Sequence, residues 1–263
     1  MRWYHGWNVL AVTVLFQGIL LGSTASSFTL LITEWSREFN AGIGDLQVAI
    51  LIFTAVQCLL APIPGTFIDR TSIRAMIITG AVLAASGMAL LSQVTAVWQI
   101  LAVYGTLIST GVLLAGLLPA QTLAVKWFRG RRGLAIGLST AGASIGGIVM
   151  PIIVTKLFLA VGWRDAHLIL AAAAIVLIVP AVWFVVRNSP EEMGIEPEPE
   201  SAVSAARAAA QVFPKWTIVQ ILRERTFWVM VASLVPMAMA LAAVAQNIGP
   251  LARQVGVSPM NAA

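Results

Sequence analysis

The chain contains seven apolar segments, each of about the length that a helix needs to cross a lipid bilayer. The seven segments contain a single residue that is lysine, arginine, aspartate or glutamate. This residue is Lys156, close to the end of the fifth segment. Charged residues make up 10% of the chain, against roughly 25% in an average soluble domain. The sequence therefore predicts an all-α protein that crosses a membrane several times. The segments cover residues 7–32, 46–64, 75–91, 97–118, 134–161, 167–186 and 227–251.

The distribution of positive charge predicts how these helices are oriented. Residues 126–132, between the fourth and fifth segments, contain four cations, which cannot lie within the hydrocarbon. With the amino terminus inside the cell, twelve lysines and arginines fall on the inside and four on the outside. Loops rich in these residues stay on the cytoplasmic side during insertion. We therefore predict a multi-pass protein of the cell (inner or plasma) membrane with a cytoplasmic amino terminus and no nucleic-acid partner.

A long polar connection separates the seventh segment from the other six. Residues 188–226 contain clustered glutamates and prolines, a composition typical of a linker without a packed core. We expect six transmembrane helices within residues 1–187, a cytoplasmic linker over 188–226 and one further transmembrane helix within 227–263.

The connection between the second and third segments resembles a known transporter signature. Residues 65–74 resemble the pattern G-x-L-x-D-[RK]-x-G-x-[RK], found in the major facilitator superfamily of secondary transporters. Phe67 stands in place of the leucine, and Ser72 in place of the second glycine. We predict that the matching residues form a gating motif: Gly65, Asp69, Arg70 and Arg74.

This resemblance implies a six-helix amino-terminal bundle followed by the first helix of a carboxy-terminal bundle. It also implies transport by alternating access, in which the two bundles rock about a site near the middle of the membrane. Asp69 would accept hydrogen bonds from a helix amino terminus in one conformation only, a contact of roughly 0.3–1 kcal/mol. We therefore predict that Asp69 acts as a latch.

Two further segments are similar to monocarboxylate and oxalate/formate carriers. One runs from the loop between the fourth and fifth segments into the fifth segment, and includes Arg131 and Arg132. The other, residues 188–194, contains the element Pro-Glu-x-x-Gly. The resemblance implies a symporter or antiporter for a small organic anion, a mono- or dicarboxylate. Such a carrier uses an ion gradient or exchange and no cofactor.

One departure from the family pattern narrows the substrate. Ala25 and Ser26 occupy the places of a Gln-Tyr pair that we would expect in oxalate carriers, which argues against oxalate itself. No cation lies in the middle of a segment to balance a bound anion. The resemblance implies that an arginine in a later helix, beyond Ala263, supplies this charge.

The fifth segment carries glycines at intervals of four or five residues. A helix without side chains on one stripe lets a neighbouring backbone pack directly against it. Two interpretations are open: the stripe lies where the two bundles meet, or it packs inside the six-helix bundle. The glycines predicted to pack are Gly133, Gly137, Gly142 and Gly146.

Polar residues inside the segments are candidates for a substrate path, because unpaired polar groups in hydrocarbon are costly. Three candidates in the first segment are separated by 7 and 11 residues, which places them on one helix face. Each candidate has the alternative of an interhelical hydrogen bond or a packing contact. The candidates are Gln17, Thr24, Phe28, Gln57, Gln246 and Asn247, and Gln121 is a further polar residue at the end of the fourth segment.

Other functional classes have less support. His5 and His167 have no companion ligands, so we expect no metal site. No paired carboxylates or nucleophile–base set indicates an enzyme. A non-transporting half-carrier stays open as an alternative. A seven-helix receptor is a further alternative, although a retinal protein needs a lysine that residues 227–251 lack.

Overall fold

The computed structural model describes residues 4–62, 64–65, 72–195 and 218–254, and every regular element in these ranges is helical. The first four helices are α1 (Gly6–Glu38), α2 (Ile43–Leu60), α3 (Ile73–Leu91) and α4 (Val97–Trp127). A helical stretch over Arg132–Val185 follows, and then a 3₁₀ turn at Pro190–Met193. The last helices are α7 (Ile218–Arg223) and α8 (Arg225–Gln254).

The stretch Arg132–Val185 consists of two helices broken at Gly162. Gly162 has φ 79° and ψ 165°, a backbone conformation that is essentially restricted to glycine. We name the two helices α5 (132–161) and α6 (163–185). The sequence predicts a connection over residues 162–166, but the chain reverses at one glycine, so α6 begins earlier than expected.

Contacts at both ends show that α6 runs antiparallel to α1. Arg164, at the start of α6, pairs with Glu38 at the end of α1. Val185, at the end of α6, accepts a hydrogen bond from His5, just before α1. Because the chain reverses at Gly162, α5 runs in the same direction as α1.

The helices have the length and composition of membrane spans. Five stretches are long and apolar enough to cross a membrane, and Arg132–Val185 contributes two spans because of its break. The apolar part of α8, Arg225–Leu241, is shorter and overlaps the seventh predicted segment. The prediction of an all-α polytopic membrane protein is confirmed.

The chain forms two compact units, Met1–Pro199 and Glu200–Ala263. Helices α1–α6 belong to the first unit, and α7 and α8 to the second. The domain boundaries placed at 187/188 and 226/227 stay predictions.

The first unit is organised around α1, which packs against α5 at close backbone distance. Gly142 and Gly146 of α5 face Val14, Gly18 and Gly22 of α1. A Cβ atom at Gly142 would lie 2.7 Å from the Cα and carbonyl oxygen of Val14. These glycines therefore pack within the six-helix unit, as one of the two interpretations of the stripe requires.

Hydrogen bonds to main-chain carbonyls join the helices at the end where α1 begins. The Tyr4 hydroxyl donates to the Trp127 carbonyl at 2.5 Å, and Trp127 Nε1 donates to the Arg187 carbonyl at 3.1 Å. His5 Nε2 donates to the Val185 carbonyl at 2.9 Å. We name this end the basic end, because it carries Arg74, Lys126, Arg129, Arg131, Arg132 and Arg187.

The opposite end is held by an ion pair and aromatic rings. Glu38 accepts from Arg164 Nη2 at 2.6 Å and from Trp163 Nε1 at 3.0 Å. Arg164 also reaches the Val94 carbonyl, at 3.4 Å, in the turn between α3 and α4. Trp35 is fully buried beside Trp163, with ring centroids 6.2 Å apart. One carboxylate thus ties α1 to the start of α6.

The α1–α5 contact yields a stability prediction. The substitution Gly142→Ala forces two backbones apart and should destabilise the unit by about 1–3 kcal/mol, the usual cost of overpacking. Thermal melting of the purified protein in detergent measures the effect. Gly147→Ala is the matched control, because a Cβ there has nothing within 4 Å in the described part of the chain. Equal melting temperatures for the two variants would contradict the packing argument.

Candidate functional site

A cavity of about 310 Å³ lies in the first unit between α1, α2 and α4. Its lining is mainly aliphatic, with two glutamine side chains and no charged residue among the lining residues. Such a wall offers neutral hydrogen-bonding groups in apolar surroundings. The lining residues are Leu21, Gln57, Val112, Leu113, Leu117, Leu118 and Gln121.

The amide of Gln57, which lines the cavity, has an unsatisfied donor. Its Nε2 atom is buried and has no hydrogen-bond partner among the described residues. A buried donor without a partner costs about 1–3 kcal/mol, so a ligand oxygen placed there would relieve that cost. Gln121, also half-buried, lines the same cavity from α4.

The cavity lies where α4 is broken. Ala115 (φ −118°, ψ 20°) and Gly116 (φ −101°, ψ −139°) leave the helical conformation, and the helix resumes at Leu117. Leu113 lines the cavity before the break, and Leu117 and Leu118 line it afterwards.

This break starts a new helix, Leu117–Trp127, beside the cavity. The first N–H groups of a helix have no partner inside that helix, and they carry the positive end of its dipole. Gly116, which precedes the resumed helix Leu117–Trp127, provides no side-chain cap in the described structure. Leu117 and Leu118 open this helix beside the cavity, while Pro119, its third residue, has no N–H group to donate.

The three candidates on α1 lie elsewhere. Gln17 is fully buried against α5, and its Nε2 donates to the Ser139 carbonyl at 2.8 Å. The Thr24 hydroxyl donates to the Leu20 carbonyl of its own helix at 2.7 Å. Phe28 packs against Tyr104, with ring centroids 5.3 Å apart. Their role in a substrate path stays a prediction, as does that of Gln246 and Asn247, whose side chains lie outside the described structure.

The gating motif is described only at its two ends. Gly65 is exposed, while Asp69 and Arg70 lie outside the described residues. The Arg74 backbone N–H, in the first turn of α3, donates to Asn188 Oδ1 at 3.1 Å. The Arg74 guanidinium lies 4.8 Å from the ring centroid of Trp183.

Sequence reasoning missed the group that anchors this motif. Asn188 Oδ1 also accepts from the Ser72 hydroxyl at 2.9 Å, and Ser72 in turn caps α3 by accepting from the Ala75 N–H at 3.3 Å. Glu192 holds Asn188 in place, with its carboxylate 2.6 Å from Asn188 Nδ2. Residues 188–194 resemble a family element, but nothing in their spacing indicates that they contact the start of α3.

The neighbouring Glu191 faces the loop between α4 and α5. Its carboxylate lies 4.0 Å from Arg129 Nη2. Its pKa is lowered by its own backbone N–H, by the Ser189 hydroxyl and by the cations Arg129 and Lys126. The carboxylate is therefore ionised at neutral pH and complements the basic end.

The remaining predicted residues lie at the start of α5. Arg131 is the N-cap residue of α5, and Arg132 is its first residue. Gly133 and Gly137 are exposed, and a Cβ at either position has nothing within 4 Å in the described structure. Their predicted packing role stays a prediction.

The sequence matches known proteins over most of its length. Residues 14–263 match the sequence profile of the Major Facilitator Superfamily. The human Monocarboxylate transporter 14 is 28% identical over 175 residues, which are 66% of this chain and 34% of that protein. The uncharacterised MFS-type transporter YcxA of Bacillus subtilis is 27% identical over 184 residues, 70% of this chain and 45% of that protein. The chain thus spans less than half of the length of these relatives.

The fold also matches a solved structure. A bacterial homologue of the human lysosomal transporter Spinster, inward-facing and unoccupied, superposes with a TM-score of 0.71 at 18% identity. The match covers 100% of this chain and 58% of that one. This likeness concerns the fold.

Cysteine labelling tests whether the cavity admits water. Cys58 is the one cysteine and is exposed, so Cys58→Ser provides a background for single-cysteine variants. Gln57→Cys and Gln121→Cys should react with a charged thiol reagent in vesicles, because the cavity admits solutes. Leu177→Cys, on an exposed apolar position of α6, should not react, because lipid excludes the reagent. Equal labelling of all three positions would contradict the assignment.

Proposed function

Because the chain belongs to the Major Facilitator Superfamily, we propose that it carries a small organic anion, a mono- or dicarboxylate, across the cell membrane. The observation that carries this proposal is the cavity between α1, α2 and α4, with its unpartnered amide and broken helix. Discontinuous helices commonly form the substrate sites of secondary transporters. Relatives named monocarboxylate transporters support the substrate class.

The first unit alone does not provide a countercharge for a bound anion among the residues that line the cavity. The lining residues provide two side-chain amides but no cation. A buried carboxylate without a countercharge costs several kcal/mol. In the proposed carrier, the cation comes from a later helix, as the family resemblance implies, and the described unit supplies orientation and neutral hydrogen bonds.

The proposed carrier has its basic end in the cytoplasm, following the bias of lysine and arginine. Transport proceeds by alternating access and is driven by a coupling ion or by exchange. Ser72 and Arg74, at the end of the motif, lie at the basic end, and the motif forms the proposed gate. The hydrogen bonds from Ser72 and Arg74 to Asn188 fix the end of this motif against the chain that follows α6.

The introduction of a negative charge tests the anion site. Gln57→Glu places a carboxylate in the cavity, and repulsion should raise the KM for a labelled monocarboxylate about tenfold or more. Uptake into vesicles containing the carrier at its natural length is the measurement. Gln93→Glu, in the exposed turn after α3, adds the same charge outside the cavity and should leave KM unchanged. An unaltered KM in Gln57→Glu would overturn the site assignment.

The latch is tested at Asp69. Asp69→Asn removes the charge that a helix dipole would stabilise, so the balance between the two conformations should shift. We expect slower transport and altered cysteine labelling at the basic end, with similar expression. Normal uptake together with unchanged labelling would exclude the latch.

A further inference from the structure

The cavity lining points to one kind of anion: we propose that the site takes a monocarboxylate with an apolar tail of several carbons. This inference rests on the proposed function. In this arrangement the polar group of the substrate lies near Gln57 and Gln121, and its tail lies against the aliphatic wall of α1 and α4.

The composition of the wall supports a tail. Five of the seven lining residues are leucine or valine, and the other two are neutral glutamines. Transfer of apolar surface out of water is favourable in proportion to the area buried. A second carboxylate of a dicarboxylate would have to lie among these aliphatic groups, which is costly without a partner.

Polar and apolar lining residues lie at different depths. Gln121 is six residues before the end of α4 at the basic end, and Val112 is nine residues further into the unit. Leu21, near the middle of α1, lines the deeper part. The cavity is thus polar towards the basic end and apolar towards the middle of the unit.

The volume of the cavity also accommodates a tail. Ligand pockets usually measure about 300–1,000 Å³, and this one, at about 310 Å³, is at the small end of that range. A two-carbon acid would leave most of the aliphatic wall uncovered. A chain of six to eight carbons would lie along the leucine side chains on both sides of the α4 break.

A chain-length series tests the inference. Straight-chain monocarboxylates from acetate to octanoate compete for uptake of labelled butyrate into vesicles containing the carrier at its natural length. Each added methylene should lower the half-inhibitory concentration about fourfold until the cavity is filled, which is the usual contribution of a buried CH₂. The corresponding alcohols control for effects on the bilayer.

Substitutions in the cavity wall test whether the tail of the acid binds there. Leu113→Ala removes wall area inside the cavity and should weaken inhibition by octanoate about tenfold while inhibition by butyrate stays nearly unchanged. Leu117→Gln, at the more exposed rim, should also weaken inhibition by octanoate. It replaces Leu113→Ala in the experiment if that variant does not fold. Leu177→Ala, on the outer side of α6, is the matched control and should change neither value.

The outcomes separate this inference from the proposed function. Competition that is independent of chain length, or stronger inhibition by glutarate than by hexanoate, would overturn the tail site while leaving an anion carrier. Absence of uptake or competition by every carboxylate would overturn the proposed function as well. The inference is supported if inhibition strengthens with chain length and if this dependence is weaker in Leu113→Ala or Leu117→Gln.

Discussion

Backbone hydrogen bonding without water is the constraint on which the rest of this structure depends. In hydrocarbon, each peptide group must find a partner within its own segment, so the spans are helical. Breaks in a helix are tolerated where protein or a water-filled cavity replaces the missing bonds. The described first unit follows this rule, since α4 breaks at a cavity and the α5–α6 break lies beside an end of the unit.

The same constraint explains how the ends of the helices are held. At the basic end, Tyr4, His5 and Trp127 donate to carbonyls at or just beyond the carboxy-terminal ends of α4 and α6. At the opposite end, Glu38 collects two donors from the start of α6. In contrast, α2 is held along one narrow stripe, with Leu46 and Ala49 its buried residues. The unit thus combines a tightly packed α1, α3, α5 and α6 with a loosely covered α2.

The sequence predicts the helices well because the signal for a span is local. Hydropathy identifies each apolar segment, and the charges identify the loops. The site is harder to predict, because three-dimensional packing decides which polar residues meet. Gln17 and Gln57 are equivalent in sequence terms, yet one bonds Ser139 inside a helix interface and the other lines a cavity. The glycine stripe divides in the same way, since Gly142 and Gly146 contact α1 while Gly133 and Gly137 are exposed.

The single-residue turn at Gly162 has a consequence for how the protein is made. A chain that reverses at one glycine has no spare length between its two helices, so the start of α6 reaches the far side of the bilayer together with the end of α5. Helices α5 and α6 are therefore expected to leave the translocation machinery as a hairpin. Their apolar faces then become available to α1 at the same moment, after the first four helices have already been synthesised. We expect biosynthesis, and not only the finished fold, to depend on the positive φ of one glycine.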